Sequence, residues 1–164
     1  MAASAKVTNV VVAGLGGQGV IKASDILADA AFRAGLDVKK AEVHGMSQRG
    51  GSVTTDVRFG PRVLSPMVPR GEADFLLVLE DSQIEVNRPV LRPEGLLLRP
   101  DAVDASKLPN SRSLNVALLG ALSVHLELPE ADWLAAVHAA LPERLHGVND
   151  AAFRIGREAG KSLR

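Results

Sequence analysis

The chain has 164 residues, 46% hydrophobic and 23% charged, the balance of a single packed domain covering residues 1–164. Nineteen basic residues meet nineteen acidic ones, so no net field draws in nucleic acid or an anionic membrane, and neither is expected as a partner. With no cysteine, the chain has no disulfide or thiolate metal site and cannot by itself hold an all-cysteine iron–sulfur cluster.

Met1 to Lys6 lacks the apolar run of a signal segment and no stretch approaches a membrane span, so a cytoplasmic location is expected. Lys6 to Ala13 is β-branched and apolar on both faces, the pattern of a central parallel strand covered by helices. It breaks into Gly14-Leu15-Gly16-Gly17-Gln18-Gly19, after which apolar residues recur at helical spacing as far as Ala34, and Gly35 is placed to stop the helix. This is a strand, a phosphate-sized turn and a helix start. Backbone N–H groups at such a start are unpaired and partly positive, so the glycines create an anion site that needs no charged side chain.

Leu36 to Val43 reads as a more polar strand suited to a sheet edge, with Val38, Ala41 and Val43 inward. A second glycine-rich element, Glu42-Val43-His44-Gly45-Met46-Ser47-Gln48-Arg49-Gly50-Gly51-Ser52, follows. The two glycine loops should meet at one edge of the sheet, where open α/β folds bind ligands. Ser52 to Phe59 alternates, with Val53, Val57 and Phe59 on one side, and Arg62 to Ser65 is placed to return as a hairpin after Gly60-Pro61. Phe75 to Leu79 is a buried strand, Ser82 to Leu91 a short helix, Pro93-Glu94-Gly95 a turn and Leu96 to Leu98 another strand. Ser113 to Leu128 is apolar almost all round, which predicts burial on most of its surface, including against a partner chain. Gly120 inside it implies a closely packed neighbour. Pro129 opens a helix to Leu141. The last helix should bury Val148, Ala151, Ala152, Ile155 and Ala159 and turn Arg154, Arg157, Lys161 and Arg164 outward. The order of elements predicts an α/β fold: a Rossmann-like three-layer sandwich with a mostly parallel sheet, a β-hairpin and C-terminal helices.

Gly14-x-Gly16-x-x-Gly19 has dinucleotide spacing, and Glu42 is the acidic residue that such a reading would set on a ribose. A stand-alone nucleotide-binding or regulatory module is therefore the alternative function, and turns that serve packing alone are a third reading. A mononucleotide, a coenzyme phosphate and a substrate carboxylate all suit the first loop. In the second, Arg49 can grip such an anion with two parallel hydrogen bonds, or pair with Glu42 or a partner chain. Asn115 is a polar exception that suits a cap, a bond to the glycine loops or a partner contact. No metal site is expected from His44, His125, His138 and His146, and neither Ser47 nor Ser52 has a nucleophile-elbow context. No catalytic residue is assigned.

Gly14 to Gly19, Glu42 to Ser52, Asn115-Val-Ala-Leu-Leu-Gly120 and Asn149-Asp-Ala-Ala-Phe153, in that order from about Val7 to Gly156, resemble the gamma subunits of 2-oxoacid:ferredoxin oxidoreductases, most of all the indolepyruvate branch. The resemblance implies coenzyme A-dependent oxidative decarboxylation of a 2-oxo acid. Thiamine diphosphate, magnesium and iron–sulfur clusters would sit in partner subunits, and this chain, without the long extension of some members, would hold none. It places Gly14, Gly16, Gly17, Gln18, Gly19, Ser47, Gln48, Arg49 and Gly50 at the coenzyme A region or the subunit seam. It leaves open the oxo acid, the acceptor (ferredoxin or NAD) and the stoichiometry.

Overall fold

The computed structural model describes residues 6–44 and 50–164. Five strands form one sheet in the order β2-β3-β1-β4-β5: β1 Thr8–Leu15, β2 Asp37–His44, β3 Ser52–Gly60, β4 Ala73–Val78 and β5 Leu91–Leu98. β1 pairs in parallel with β4 and β4 with β5, while β3 runs antiparallel to both β1 and β2. Four strands thus point one way, and β3 is reversed because it makes the hairpin with β2. The hairpin differs from the expected one. Arg62 to Ser65 forms no strand; the segment crosses the sheet instead, with the Val63 N–H donating to Asp37 and the Val68 N–H to buried Asp56.

Pro93-Glu94-Gly95 is likewise no turn between elements. It lies inside β5, where Ala73 is in register with Leu91 but Phe75 with Leu96, so the intervening residues are looped out as an irregularity. β2 is an edge strand, as its polarity predicts. Val38 packs toward the core, but Val43 is exposed, because residues 38 and 43 have opposite parity and face opposite sides of the sheet.

One sheet face, that of Val10, Val12 and Leu77, is covered by four long helices. These are α1 Val20–Arg33, α3 Leu114–Ser123, α4 Glu130–Ala140 and α5 His146–Gly160. On the other face, Val11, Ala13, Leu76 and Val78 cluster with Val68 of the crossing segment and Ile84 of a short helical run, with Val90 partly buried against them. That run is α2 Ile84–Asn87, flanked by 3-10 turns at Asp81–Gln83 and Arg88–Val90. The third layer of the sandwich is therefore thin.

α3 is buried over Asn115 to Ser123, but by its own fold: the sheet, α1, α4 and α5 surround it, so its apolar circumference requires no partner chain. Its close neighbour is α5, whose Gly156 and Gly160 approach Ala117 and Ala121 while Gly120 approaches Phe153. Glycines on facing helices let the axes draw together. This rotates α5 from the expected orientation, burying Asn149, Ala152, Phe153, Gly156 and Gly160. Arg157, expected outside, turns partly inward and donates to the Ser123 hydroxyl at 2.9 Å.

Desolvation raises the pKa of Asp56 above the usual carboxylate range, against the opposing pull of the Val68 N–H and the Arg58 charge. A carboxyl with a raised folded pKa binds more protons in the native state, so stability falls as pH rises through the unfolded and then the folded value. Asp56→Asn keeps an acceptor for Val68 and removes the ionisation. It is expected to leave stability at pH 7 within about 1 kcal/mol of the parent or higher and to flatten that acidic slope, as urea unfolding between pH 3 and 7 would show.

Candidate functional site

The first glycine loop sits at the C-terminal edge of the sheet, where β1 gives way to α1. Gly14 is still in the strand; a Cβ there would stand 2.8 Å from Val20 Cγ2 and 3.2 Å from Leu79 Cβ, so this glycine lets the helix start pack on the strand. Gly16 donates its N–H to the Gly51 oxygen at 2.9 Å, which joins the first glycine loop to the end of the second, as two loops at one sheet edge should be. A Cβ on Gly16 would lie 3.4 Å from the Gly50 nitrogen. Gly17 and Gly19 hold φ of +90° and +84°, the left-handed region that glycine enters without penalty.

Gln18 braces the turn. Its Oε1 accepts from the Leu15 N–H at 2.7 Å and its Nε2 donates to Glu80 Oε2 at 2.9 Å, tying the loop to the residue that follows β4. Asn115, at the start of α3, donates from Nδ2 to the Gly19 oxygen at 3.3 Å, while its Oδ1 accepts from the Val116 N–H. The bond to the glycine loop, one of the roles open to Asn115 in the sequence, is formed.

The loop opens onto a cavity of about 450 Å³ lined by Gly17, Gln18, Gly19, Leu79, Ser111, Arg112, Leu114 and Asn115. α1 and α3 therefore both begin at this cleft with the positive ends of their dipoles toward it, although in α3 the Leu114 N–H is bonded to the Ser111 oxygen and the Val116 N–H to Asn115 Oδ1. Arg112 adds a full charge; among the described residues its guanidinium has no ion-pair partner. Sequence reasoning missed Arg112 and Ser111. The available signal was Asn110, whose side chain accepts from the Arg112 N–H and so starts the turn leading into α3. A larger cavity of about 950 Å³ shares Leu114 with this cleft, but its lining sets Asp81, Asp101, Asp104 and Glu158 against Lys107, a net negative charge that disfavours a phosphate.

Ser47, Gln48 and Arg49 lie outside the described residues. Gly50 is exposed, with φ of +67°, beside Gly16. Glu42 is on edge strand β2, paired with Lys40 at 2.9 Å, and β3 stands between it and β1. Two strand spacings, roughly 10 Å, thus separate Glu42 from the strand that carries the loop, and the fold does not bring them together as a dinucleotide fingerprint requires. Burial works to lower the Lys40 pKa, but hydrogen bonds and charge from Asp25 and Glu42 outweigh it and raise it. Among the described residues no three His, Asp or Glu side chains are grouped to hold a metal ion. His138 bonds Asp150 at 2.7 Å and stacks on His146 with ring centroids 4.1 Å apart.

Backbone N–H groups and one guanidinium can hold an anion, but they transfer no proton, and no histidine or carboxylate is bonded to the Ser111 hydroxyl among the described residues. A Rossmann-like domain with such a cleft is suited to binding an anionic group. The chain belongs to the pyruvate ferredoxin/flavodoxin oxidoreductase family, whose pattern matches residues 9–109. It is a gamma-type small subunit of a multisubunit 2-oxoacid oxidoreductase.

The indolepyruvate oxidoreductase subunit IorB of Thermococcus kodakarensis is 35% identical over 197 aligned positions, covering 94% of this chain and 96% of that protein. The fold matches the gamma subunit of a keto/oxoacid ferredoxin oxidoreductase from Geobacter sulfurreducens, with a TM-score of 0.73 at 23% identity over 95% of this chain and 99% of that one. It also matches 2-oxoglutarate:ferredoxin oxidoreductase from Magnetococcus marinus, solved with 2-oxoglutarate, coenzyme A and succinyl-CoA, with a TM-score of 0.80 at 24% identity over 97% of this chain. This chain spans about a third of that one, 32%. Among the described residues no helix is long and apolar enough to cross a membrane.

Proposed function

We propose that this chain is the non-catalytic subunit of an enzyme that oxidatively decarboxylates an aryl-substituted 2-oxo acid such as indolepyruvate, with coenzyme A as co-substrate. The iron–sulfur clusters belong to the partner subunits, because this chain offers no thiolate for one, and thiamine diphosphate and magnesium belong there with them. The role of its own residues is to receive an anionic group, best suited to the phosphates of coenzyme A, in the cleft between the N-termini of α1 and α3. Gly17 and Gly19 shape the turn, Gln18 and Asn115 hold it open, and Arg112 supplies the charge that neutralises the bound group. Ser47, Gln48, Arg49 and Gly50 complete the seam from the second loop.

The single observation carrying this reading is the convergence of two helix N-termini and an unpaired guanidinium on one cavity, without a general acid or base among its lining residues. The test is co-expression with the large subunits of the same enzyme. The assembled complex should turn over an aryl 2-oxo acid and reduce an acceptor, and the chain alone should do neither; turnover by the purified chain would overturn the reading. Within the complex, Arg112→Ala is expected to raise the KM for coenzyme A by about 10- to 100-fold, the range of 1.5 to 3 kcal/mol for a charge-assisted hydrogen bond. kcat should change little, since the interaction is uniform between ground and transition states.

A further inference from the structure

The two faces of the sheet are unequally covered, and the thin side is the one with exposed apolar surface. Val68 and Ile84 seal Val11, Ala13, Leu76 and Val78 from above. In the same two segments, Leu64 is 78% exposed, Met67 52% and Val86 69%, and Val43 is 49% exposed. Val43 is in register with Thr54, and Thr54 with Ala13, which places it on the same sheet face. Phe32 is the other large exposed hydrophobic among the described residues, and it lies on α1 across the sheet. The helical side carries surface ion pairs, Asp29 with Arg33 and Glu158 with Lys161. Four of the five large exposed hydrophobics among the described residues thus lie on this one face, which singles it out as the face a partner would cover.

The charge around this patch indicates what covers it. Arg62 and Arg70 bracket Leu64 and Met67 and are exposed; among the described residues neither has a carboxylate in ion-pair range. Arg58 spends its hydrogen bonds on the Asn9 side chain and the Ser65 oxygen. The acids of these segments are Asp37 and Asp56, each holding a backbone N–H of the crossing segment, the exposed Glu72, the exposed Asp81 in the turn before α2, and Glu85, paired with Arg88. The crossing segment thus carries two exposed arginines without ion pairs on either side of exposed Leu64 and Met67, and arginine and methionine are residue types enriched at interfaces. A second copy docked about a two-fold axis would set the same arginine-rimmed surface against itself.

We infer that the sheet face carrying Leu64, Met67 and Val86 is the surface by which this chain docks on a larger subunit of its enzyme, whose contact face is apolar at its centre and acidic at its rim. The inference rests on the functional reading above. The size relation fits it: the Magnetococcus marinus chain is about three times as long as this one, with the same fold as one part of it.

The experiment measures retention of this chain by its tagged, co-expressed large subunits, together with the affinity of the recombined chains. The paired substitution Leu64→Asp, Met67→Asp should weaken binding at least 100-fold, and Arg62→Glu with Arg70→Glu about 10-fold with a reduced salt dependence. Phe32→Asp should bind as the parent does. Circular dichroism and melting of each isolated variant should match the parent, because all the altered side chains are exposed; the arginine pair, which removes no apolar group, carries the test should the aspartate pair melt early. Parent-like retention of both paired variants overturns the docking surface and leaves the functional reading intact. Failure of the parent itself to be retained overturns that reading first. A homodimer of the isolated chain that Leu64→Asp, Met67→Asp dissolves, with retention unchanged, would make a second copy the occupant and also overturn the inference.

Discussion

Gly156→Ala is expected to be the most damaging single-atom change in this chain, although alanine is the better helix former. In an open helix the replacement gains about 1 kcal/mol. Here the added Cβ would fall well inside the van der Waals envelope of the Ala117 carbonyl oxygen, a backbone atom that cannot rotate away. α3 and α5 must separate, and separation loosens the contacts of Phe153 with Trp133, whose ring centroids lie 5.7 Å apart in the core. Overpacking of this kind costs about 3 kcal/mol, so the steric term outweighs the propensity gain. The net loss, about 2 kcal/mol or more, corresponds to a Tm lower by roughly 4 to 8 °C at this chain length. Thermal unfolding followed by circular dichroism decides the sign: a variant more stable than the parent would mean that the helices do not meet as described.

The largest effect on function is expected from Gly19→Ala. Two costs combine there. An L residue at φ +84° is strained by about 1 to 2 kcal/mol, and the methyl group would displace Asn115 Nδ2, breaking its bond to the Gly19 oxygen at about 1 kcal/mol more. The displaced turn carries the N–H groups proposed to hold the coenzyme phosphates, so the KM for coenzyme A in the assembled enzyme should rise by about 100-fold. Gly17→Ala is the informative partner. Its φ is +90°, but nothing lies within 4 Å of the added atom, so it pays only the strain. Combining Gly19→Ala with Asn115→Ala should relieve the clash and leave the strain, giving a coupling energy of about 1 kcal/mol in a double-mutant cycle. A Gly19→Ala enzyme with unchanged coenzyme kinetics would remove this cleft from the site.

Much of the site's frame was legible because the relevant physics is local. The run from Val10 to Gly19 states its strand and turn, Gly35 ends α1 with φ +87°, and Pro129 with Glu130 and Asp132 opens α4. Gly120 announced a close neighbour, since a glycine in a helix is costly unless something needs its space. The expectations that failed depend on what a residue meets across the fold. The spacing of Pro93, Glu94 and Gly95 spells a turn, but pairing with β4 holds them as an irregularity inside a strand. On α5, Ala152 is buried as expected and Ile155 and Ala159 pack partly on the core, but close packing centres the face on Phe153, Gly156 and Gly160 and draws Arg157 toward Ser123.

By itself the sequence determined a cysteine-free α/β domain with two glycine loops and a nearly all-apolar helix, because composition and periodicity act on each segment separately. Only the tertiary structure decided that β3 separates Glu42 from β1, that Arg112 faces the glycine turn across the mouth of α3, and that one sheet face is left thinly covered. Each of these pairs groups far apart in the chain. Strand order and helix docking are settled by the packing of the whole core, which no local window of residues encodes.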